Sequence, residues 1–190
     1  MLKLFLIFLL AVSSSQAQTG RQIVDSARRQ IGVTVGYDPS YTTLKYPGGD
    51  VPAERGVCTD VVIRALRDGL GKDLQQLVHE DMARNFSAYP KNWGLAKPDR
   101  NIDHRRVPNL QAWFKRKGHA LLLTPEKDAN RFLPGDLVTC TVPPHLPHIM
   151  IVSDKKTAEG VPWVIHNIGG GAREENVLFT FPLTGHYRLK

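Results

Sequence analysis

The chain has few cysteines, few aromatic residues and only one long apolar run. Two cysteines in 190 residues exclude a disulfide-rich scaffold, and the absence of a Cys-x-x-Cys motif argues against a structural zinc site. The glycines Gly169 to Gly171 lack the Lys-Ser/Thr pair of phosphate-binding loops and therefore predict a turn. No basic run is interleaved with aromatic residues, which argues against a nucleic acid partner.

The long apolar run lies at the start of the chain. Lys3 precedes the run from Leu4 to Leu10, and Ser15-Gln16-Ala17 provides small residues at the two positions that signal peptidase reads. The run is too short to span a bilayer. We predict a secretory signal peptide over residues 1–17 and a single domain over residues 18–190. This domain is expected to be periplasmic or secreted, without a lipid anchor or an integral membrane segment after cleavage.

The composition is that of an ordinary globular domain with an excess of positive charge. Hydrophobic residues make up 42% of the chain and charged residues 23%. The formal net charge is +7, and it becomes +6 when Lys3 is removed with the signal peptide. In an exported protein this charge suits an anionic envelope polymer better than DNA. We therefore expect peptidoglycan or another anionic envelope substrate as the partner, and a monomeric protein.

Helical periodicity fills the first part of the chain and alternation fills the second. The pattern predicts helices at 21–32, from Cys58, after Asp73 and at 108–118, and strands at 136–142, 148–153, 163–167, 176–181 and 186–189. Helices followed by a run of strands indicate an α+β fold. N-terminal helices would pack on a C-terminal antiparallel sheet of about five strands.

Cys58 begins a helix whose apolar residues recur with helical spacing, among them Val61, Ala65 and Leu66. A thiol at a helix start lies beside unpaired N–H groups and the positive end of the helix dipole, and both favour the nucleophilic thiolate. Two alternatives stay open. Cys58 could be a small buried hydrophobic residue, or it could form a disulfide with Cys140, which otherwise is predicted to be structural.

His148 opens a strand of aliphatic residues. It shares one face of that strand with Met150, whereas Ile149 lies on the other face. This position suits either a structural hydrogen bond or general-base chemistry. His145 and His148 could join Cys58 in a zinc site, but their spacing is not that of a metal motif. We predict no metal and no cofactor.

The order of several short motifs resembles the NlpC/P60 cell-wall hydrolases, which belong to the papain-like cysteine peptidases. These motifs are Gln30-Ile31-Gly32, Tyr46 with Gly48-Gly49, Gly56-Val57-Cys58, Pro134-Gly135-Asp136-Leu137-Val138 and His148-Ile149-Met150-Ile151-Val152. The segment Asn101-Ile102-Asp103-His104-Arg105-Arg106-Val107-Pro108-Asn109-Leu110 makes the chain still more similar to a bacterial family of that group, DUF1287. The resemblance implies a papain-like fold over nearly the whole domain.

The resemblance also implies a role for each matching residue. Cys58 corresponds to the nucleophile and His148 to the base. The residue that orients the imidazole would be His166 by the NlpC/P60 pattern or Asn167 by the papain-type pattern, and we favour His166. Tyr46 lies 12 residues before Cys58, similar to the tyrosine that assists the oxyanion hole in these enzymes.

The chain departs from the NlpC/P60 pattern in two places. Thr59-Asp60 follows the cysteine where Ser-Gly is usual, and the interval between the two histidines is longer. A further polar run, Asp103-His104-Arg105-Arg106, could bind a carboxylate of a wall peptide through a guanidinium group. It could equally be a polar entry to the fourth helix, and the sequence leaves both roles open.

These features predict an exported cysteine hydrolase, an amidase or endopeptidase, that cleaves an amide bond in peptidoglycan stem peptides. Thiolate acyl transfer needs a nucleophile, a base, a group that orients the base and donors for the oxyanion. Two alternatives remain: a non-catalytic module that binds an envelope polymer on the same fold, and a thiol acyltransferase.

Overall fold

The computed structural model describes residues 2–124 and 127–189. Met1 and Lys190, the outer ends of the predicted segments 1–17 and 18–190, lie outside the described residues. The α-helices are α1 (Leu2–Arg28), α2 (Cys58–Leu70), α3 (Leu74–Asn85) and α4 (Val107–Arg116). The strands are β1 (Gly36–Tyr37), β2 (Arg55–Gly56), β3 (Ala120–Leu121), β4 (Leu137–Val142), β5 (Leu146–Lys156), β6 (Pro162–Asn167), β7 (Ala172–Glu175) and β8 (Leu183–Tyr187). Short 3₁₀ turns lie at Phe86–Ala88, Asp103–Arg105 and Ala129–Arg131.

Six of these strands form one antiparallel sheet in the order β3-β8-β4-β5-β6-β7. The short strands β1 and β2 pair with each other in parallel. The predicted α+β class is therefore confirmed, with six strands in the sheet instead of about five. The longest strand, β5, lies between β4 and β6 and carries His148 near its start.

One predicted strand is wrong. Residues 176–181 do not join the sheet, and the strand that pairs with β6 is β7, just before them. The apolar side chains of this segment are buried, whereas its backbone does not pair with a strand. Leu178 is fully buried, and Phe179 and Phe181 pack against the same cluster on the outer face of the sheet.

Helix α1 is longer than predicted and includes the segment before Arg21 without a break. It packs closely on the chain before β4, because a Cβ atom at Gly20 would lie 2.2 Å from the carbonyl oxygen of Pro134. Only glycine fits at this approach. No helix among the described residues combines the length and the hydrophobicity needed to cross a bilayer.

The sheet separates two apolar clusters. The helix-side cluster joins the buried faces of the α-helices to strand residues such as Ile149, Ile151 and Ile165. The outer cluster contains the alternating strand residues, with Cys140, Met150, Val152 and Val164 among them. In α2, the residues Val61, Val62, Ala65 and Leu66 are fully buried. Each large aliphatic side chain buried in this way contributes about 1.5–3 kcal/mol, which holds the start of α2 against the sheet.

Candidate active site

The start of α2 is fixed by Asp60. Its carboxylate accepts a hydrogen bond of 2.6 Å from the backbone N–H of Val57, the residue before Cys58. A Cβ atom at Gly56 would lie 2.8 Å from the same carboxylate, so glycine is required here by the close approach. The Gly56-Val57-Cys58 motif therefore places the thiol on the first residue of the helix.

Cys58 is buried, with 4% of its surface exposed. Burial raises the pKa of its thiol to about 12, while hydrogen bonds from the backbone of Ile149 and Thr59 oppose that rise. Burial away from water thus has a larger effect on the pKa of the thiol than its position at the helix start, which was expected to favour the thiolate. The resting side chain is a neutral thiol, and it needs a base in order to react.

A cavity of about 430 Å³ lies over Cys58. Its wall includes Tyr37 from β1, Trp93, Arg105, Arg106 and Pro147 from β5. Arg106 stacks over the ring of Trp93, with its guanidinium carbon 4.1 Å from the ring centroid. The cavity therefore offers an aromatic and cationic wall beside a buried thiol.

His148 and His166 are hydrogen-bonded to each other. Nε2 of His148 lies 2.8 Å from Nδ1 of His166, and the two rings meet edge to face. Alternation places both on the outer face of the sheet with Met150 and Val164. Nε2 of His166 lies 3.1 Å from a carboxylate oxygen of Glu175.

Both imidazoles are neutral. Burial lowers the pKa of His148 to about 3, and the neighbouring His166 adds to the shift. Burial also lowers the pKa of His166, although Glu175 opposes that change. The unprotonated form is the one a general base needs, so His148 is in the correct state to accept a proton.

The thiol reaches β5 next to His148. The hydrogen bond from the Ile149 backbone to Cys58 brings the strand to the sulfur one residue after the histidine. The hydrogen bonds of the described residues do not include one between the Cys58 thiol and the His148 ring. The structure thus places the thiol in the helix-side cluster and the His148 ring on the outer face of β5, on adjacent elements and without a hydrogen bond between them.

Asn167 has a different role from the one that the papain-type pattern implied. Its side chain donates to the carbonyl oxygens of Gly36 and Gly56 and accepts from the backbone N–H groups of Gly169 and Gly171. These four bonds connect the glycine turn after β6 to the pair β1 and β2. Asn167 therefore braces the backbone before Cys58, while His166 is the residue in contact with His148.

Tyr46, predicted to assist the oxyanion hole, is not among the residues that line the Cys58 cavity. Its ring packs edge to face on His79 of α3. The reason is the turn that follows it, because the backbone N–H groups of Gly48 and Gly49 donate to Asp73 and Gln75 at the start of α3.

Tyr37 is the tyrosine that lines the cavity with Cys58. Burial raises its pKa to about 12, and the nearby Cys58 and Asp60 add to the rise, so the phenol keeps its proton. Sequence reasoning missed Tyr37 because proline and glycine dominate residues 33–55, which were therefore predicted to be a loop. The short alternation of Val33, Val35 and Tyr37 was the one signal available there.

The run Asp103 to Arg106 contains side chains that form structural contacts and residues that line the Cys58 cavity. Arg105 is buried and donates to both carboxylate oxygens of Asp60, at 2.9 and 3.0 Å. Asp103 is buried and pairs with Arg106 at 3.0 Å. His104 is also buried, which lowers its pKa to about 4, and Arg105 adds to that shift.

The departure from the usual Ser-Gly pair has a structural reason. Thr59 donates its hydroxyl to the backbone oxygen of Arg105 at 3.0 Å, and Asp60 pairs with the guanidinium of the same residue. The two residues after Cys58 therefore fasten α2 to the 3₁₀ turn before α4. Serine and glycine could not form this pair of contacts, because glycine has no carboxylate.

Both cysteines are free thiols. Cys58 belongs to the helix-side cluster and Cys140 to the outer cluster, so the sheet lies between their surroundings. Within residues 2–124 and 127–189, no group of three or more His, Cys, Asp or Glu side chains has an arrangement suited to a metal ion.

Glu175 is the second site residue that sequence reasoning missed. It lies on β7, directly after the predicted glycine turn, where the predicted strand began only at residue 176. The alternation of Ala172 and Glu174 with Arg173 and Glu175 contains no apolar pattern that would have marked a strand.

Comparison with known proteins identifies the family. The Escherichia coli (strain K12) protein described as "Uncharacterized protein YijF" is 56% identical over 173 residues, which cover 91% of this chain and 83% of that protein. A solved structure, "Structure of NlpC1 from Trichomonas vaginalis", aligns over 89% of this chain with 14% identity and a TM-score of 0.46. This chain spans 43% of the NlpC1 chain.

The family model described as "Domain of unknown function (DUF1287)" matches residues 24–189. This range contains Cys58, the two paired histidines and the Asn101–Leu110 segment on which the resemblance was based. The predicted resemblance is confirmed, and the chain belongs to the DUF1287 family.

Proposed function

We propose that this protein is an exported cysteine hydrolase that cleaves an amide bond in peptidoglycan stem peptides. The observation that carries the proposal is the position of the Cys58 thiol, which lies at the start of α2, under a cavity of about 430 Å³ and against the strand that carries His148. A merely structural cysteine has no need of a cavity. The order of motifs shared with NlpC/P60 hydrolases supports the same chemistry.

The reaction begins with proton transfer. Nδ1 of His148 takes the thiol proton as the Cys58 sulfur attacks the carbonyl carbon, because neither group is ionised at rest. Catalytic hydrogen bonds are often long in the free enzyme and tighten when substrate binds. Because Cys58 lies in the helix-side cluster and His148 on the outer face of the sheet, the proposal requires the thiol and the imidazole to approach each other around the start of β5 in the substrate complex.

The oxyanion is stabilised by donors at the mouth of the helix. The first N–H groups of a helix have no intrahelical partner, so the backbone N–H of Cys58 is one donor. The phenol of Tyr37, which lines the same cavity, is the second. The His148 imidazolium then protonates the leaving amine, and water releases the acyl group from the sulfur.

The cavity wall favours a substrate with a carboxylate. Arg106 uses Nη1 to pair with Asp103, and it lies on the wall with its guanidinium over Trp93. A guanidinium presents a planar set of donors that suits carboxylates. Stem peptides of peptidoglycan carry such groups. The predicted signal peptide over residues 1–17 would deliver the enzyme to this substrate.

Digestion of purified peptidoglycan under mild reductant tests the proposal, with mass spectrometry of the released fragments. New fragments are expected from the unmodified protein and none from Cys58→Ala. Cys140→Ala is the matched control, since it removes the other buried thiol, and it should digest the wall normally. Unchanged peptidoglycan in all three reactions would contradict the proposal, and binding to intact wall would then support the polymer-binding alternative.

A further inference from the structure

Glu175 extends the hydrogen-bonded pair of His148 and His166. The side chain of Glu175 is 37% exposed, but one of its oxygens lies 3.1 Å from Nε2 of His166, whose own side chain is 1% exposed. The β6–β7 register pairs Glu175 with Val164, on the same face of the sheet as His166. The three side chains His148, His166 and Glu175 therefore form one chain of hydrogen bonds across β5, β6 and β7.

The contact with Glu175 determines which ring nitrogens in this chain of hydrogen bonds donate and which accept. A carboxylate only accepts, so Nε2 of His166 must carry the hydrogen. A neutral imidazole has one N–H, which leaves Nδ1 of His166 as an acceptor. Nε2 of His148 must therefore donate to it, and Nδ1 of His148 keeps a free electron pair.

The opposite pair of tautomers is disfavoured by the contact between His166 and Glu175. If His148 accepted at Nε2, His166 would have to donate from Nδ1, and its bare Nε2 would face the carboxylate oxygen at 3.1 Å. A doubly protonated His166 would avoid that clash, but its burial disfavours the positive charge.

We infer that Glu175 is a positioning residue that holds both histidines as Nε2–H tautomers and so leaves Nδ1 of His148 free to take the Cys58 proton. Its catalytic consequence rests on the proposed hydrolase. The proton moves from the sulfur to Nδ1 of His148, and the imidazolium keeps its Nε2–H bond to His166. The negative charge of Glu175 lies at the far end of the chain and favours this cation until the proton passes to the leaving amine.

Long-range ¹H–¹⁵N NMR of the reduced protein at neutral pH tests the inference directly. Each neutral tautomer gives a distinct pair of ring-nitrogen shifts, and the variants His148→Gln and His166→Gln assign the two rings. Both rings are expected as Nε2–H tautomers. A His166 ring with its hydrogen on Nδ1 would overturn the inference.

Variants of Glu175 add a causal test. Glu175→Ala should give mixed tautomers, and Glu175→Lys, which can only donate, should reverse both rings. Hydrolysis by Glu175→Ala should fall on the order of ten- to hundredfold in kcat, by analogy with the outer partners of ligating histidines. KM should stay unchanged, because Glu175 does not line the cavity. The matched control is Glu174→Gln, since Glu174 lies next along β7 and contacts Arg28 instead of His166.

The outcomes separate the two proposals. If the unmodified protein releases no wall fragments but the tautomers change as expected in the variants, the hydrolase proposal fails and the positioning role of Glu175 stands. If the protein digests the wall while Glu175→Ala and Glu175→Lys keep the original tautomers, the positioning role fails and the hydrolase stands. A change of tautomer in Glu174→Gln would also overturn the role assigned to Glu175.

Discussion

Two regions of the molecule each contain a buried cysteine and a buried histidine bonded to an acid or a second histidine. One comprises Cys58 with His148, and the other comprises Cys140 with His186, although the β4–β5 register also pairs Cys140 with His148. His186 lies 2.7 Å from Asp136 and stacks on Phe132, which belongs to the outer cluster together with Cys140. By residue type alone, the second region matches a Cys-His-Asp set better than the first.

The surroundings of the two thiols separate the regions. Asp136 is also held by Arg188 through both carboxylate oxygens, so its acceptor capacity is used in a structural network. Cys140 lies within strand β4, packed in the outer cluster. Burial raises the pKa of both thiols, to about 12 for Cys58 and about 11 for Cys140. Residue type and burial therefore do not distinguish the two cysteines. The proposed role of Cys58 as the nucleophile rests on the helix start and the cavity.

The largest expected effect is that of His148→Ala on hydrolysis. Removal of a general base lowers kcat/KM about 10²- to 10⁴-fold, and the fold should be retained. His186→Ala is the matched variant from the other region, and it should lower stability while leaving kcat/KM unchanged. The measurement is release of wall fragments, with circular dichroism to check folding. Equal losses of activity in the two variants would break the distinction between the regions.

Acid should destabilise the Cys58 region through its neutral histidines. The pKa values of His148 and His104 are about 3 and 4 in the folded protein, below the value of about 6.5 for a free histidine. The unfolded chain therefore binds protons that the folded protein excludes. The free energy of unfolding should fall as the pH is lowered from about 6.5 towards 4, by up to about 1.4 kcal/mol per pH unit for each histidine.

Urea unfolding at several pH values measures this dependence. In His104→Gln the free energy of unfolding should fall less steeply with pH between about pH 6.5 and 4. The slope should be smaller by the contribution of one histidine, which is at most about 1.4 kcal/mol per pH unit. His145→Gln is the matched control, because His145 is exposed. A slope that stays the same in His104→Gln would show that this histidine is not held in its neutral form.

The sequence contains most of what positions Cys58. Helical spacing predicted α2 from Cys58, and alternation placed His148 with Met150 on one face of β5, as found. Alternation also allowed only one of His166 and Asn167 to face His148. These features are local, since each follows from the period of a single helix or strand.

The features that sequence reasoning missed depend on contacts between distant segments. Tyr37 reaches the cavity because β1 pairs with β2, a contact of two residues with no periodic signal. The pairing of Asp60 with Arg105 joins residues 45 positions apart. The prediction that the thiolate would be favoured relied on the helix start and had no means to include burial, which depends on how the sheet covers the sulfur.

The smallest expected effects are those of the two cysteine-to-alanine substitutions on stability. Removing one buried sulfur from the outer cluster should lower the free energy of unfolding by about 1–2 kcal/mol, since the neighbouring strand residues cannot fully close the gap. Cys58→Ala should cost less, because the thiol borders a cavity and its loss leaves no new enclosed space. Urea unfolding of both variants compares them. A larger loss from Cys58→Ala would mean that the Cys58 thiol contributes more to packing than Cys140 does, and the contrast between the two regions would then rest on hydrolysis alone.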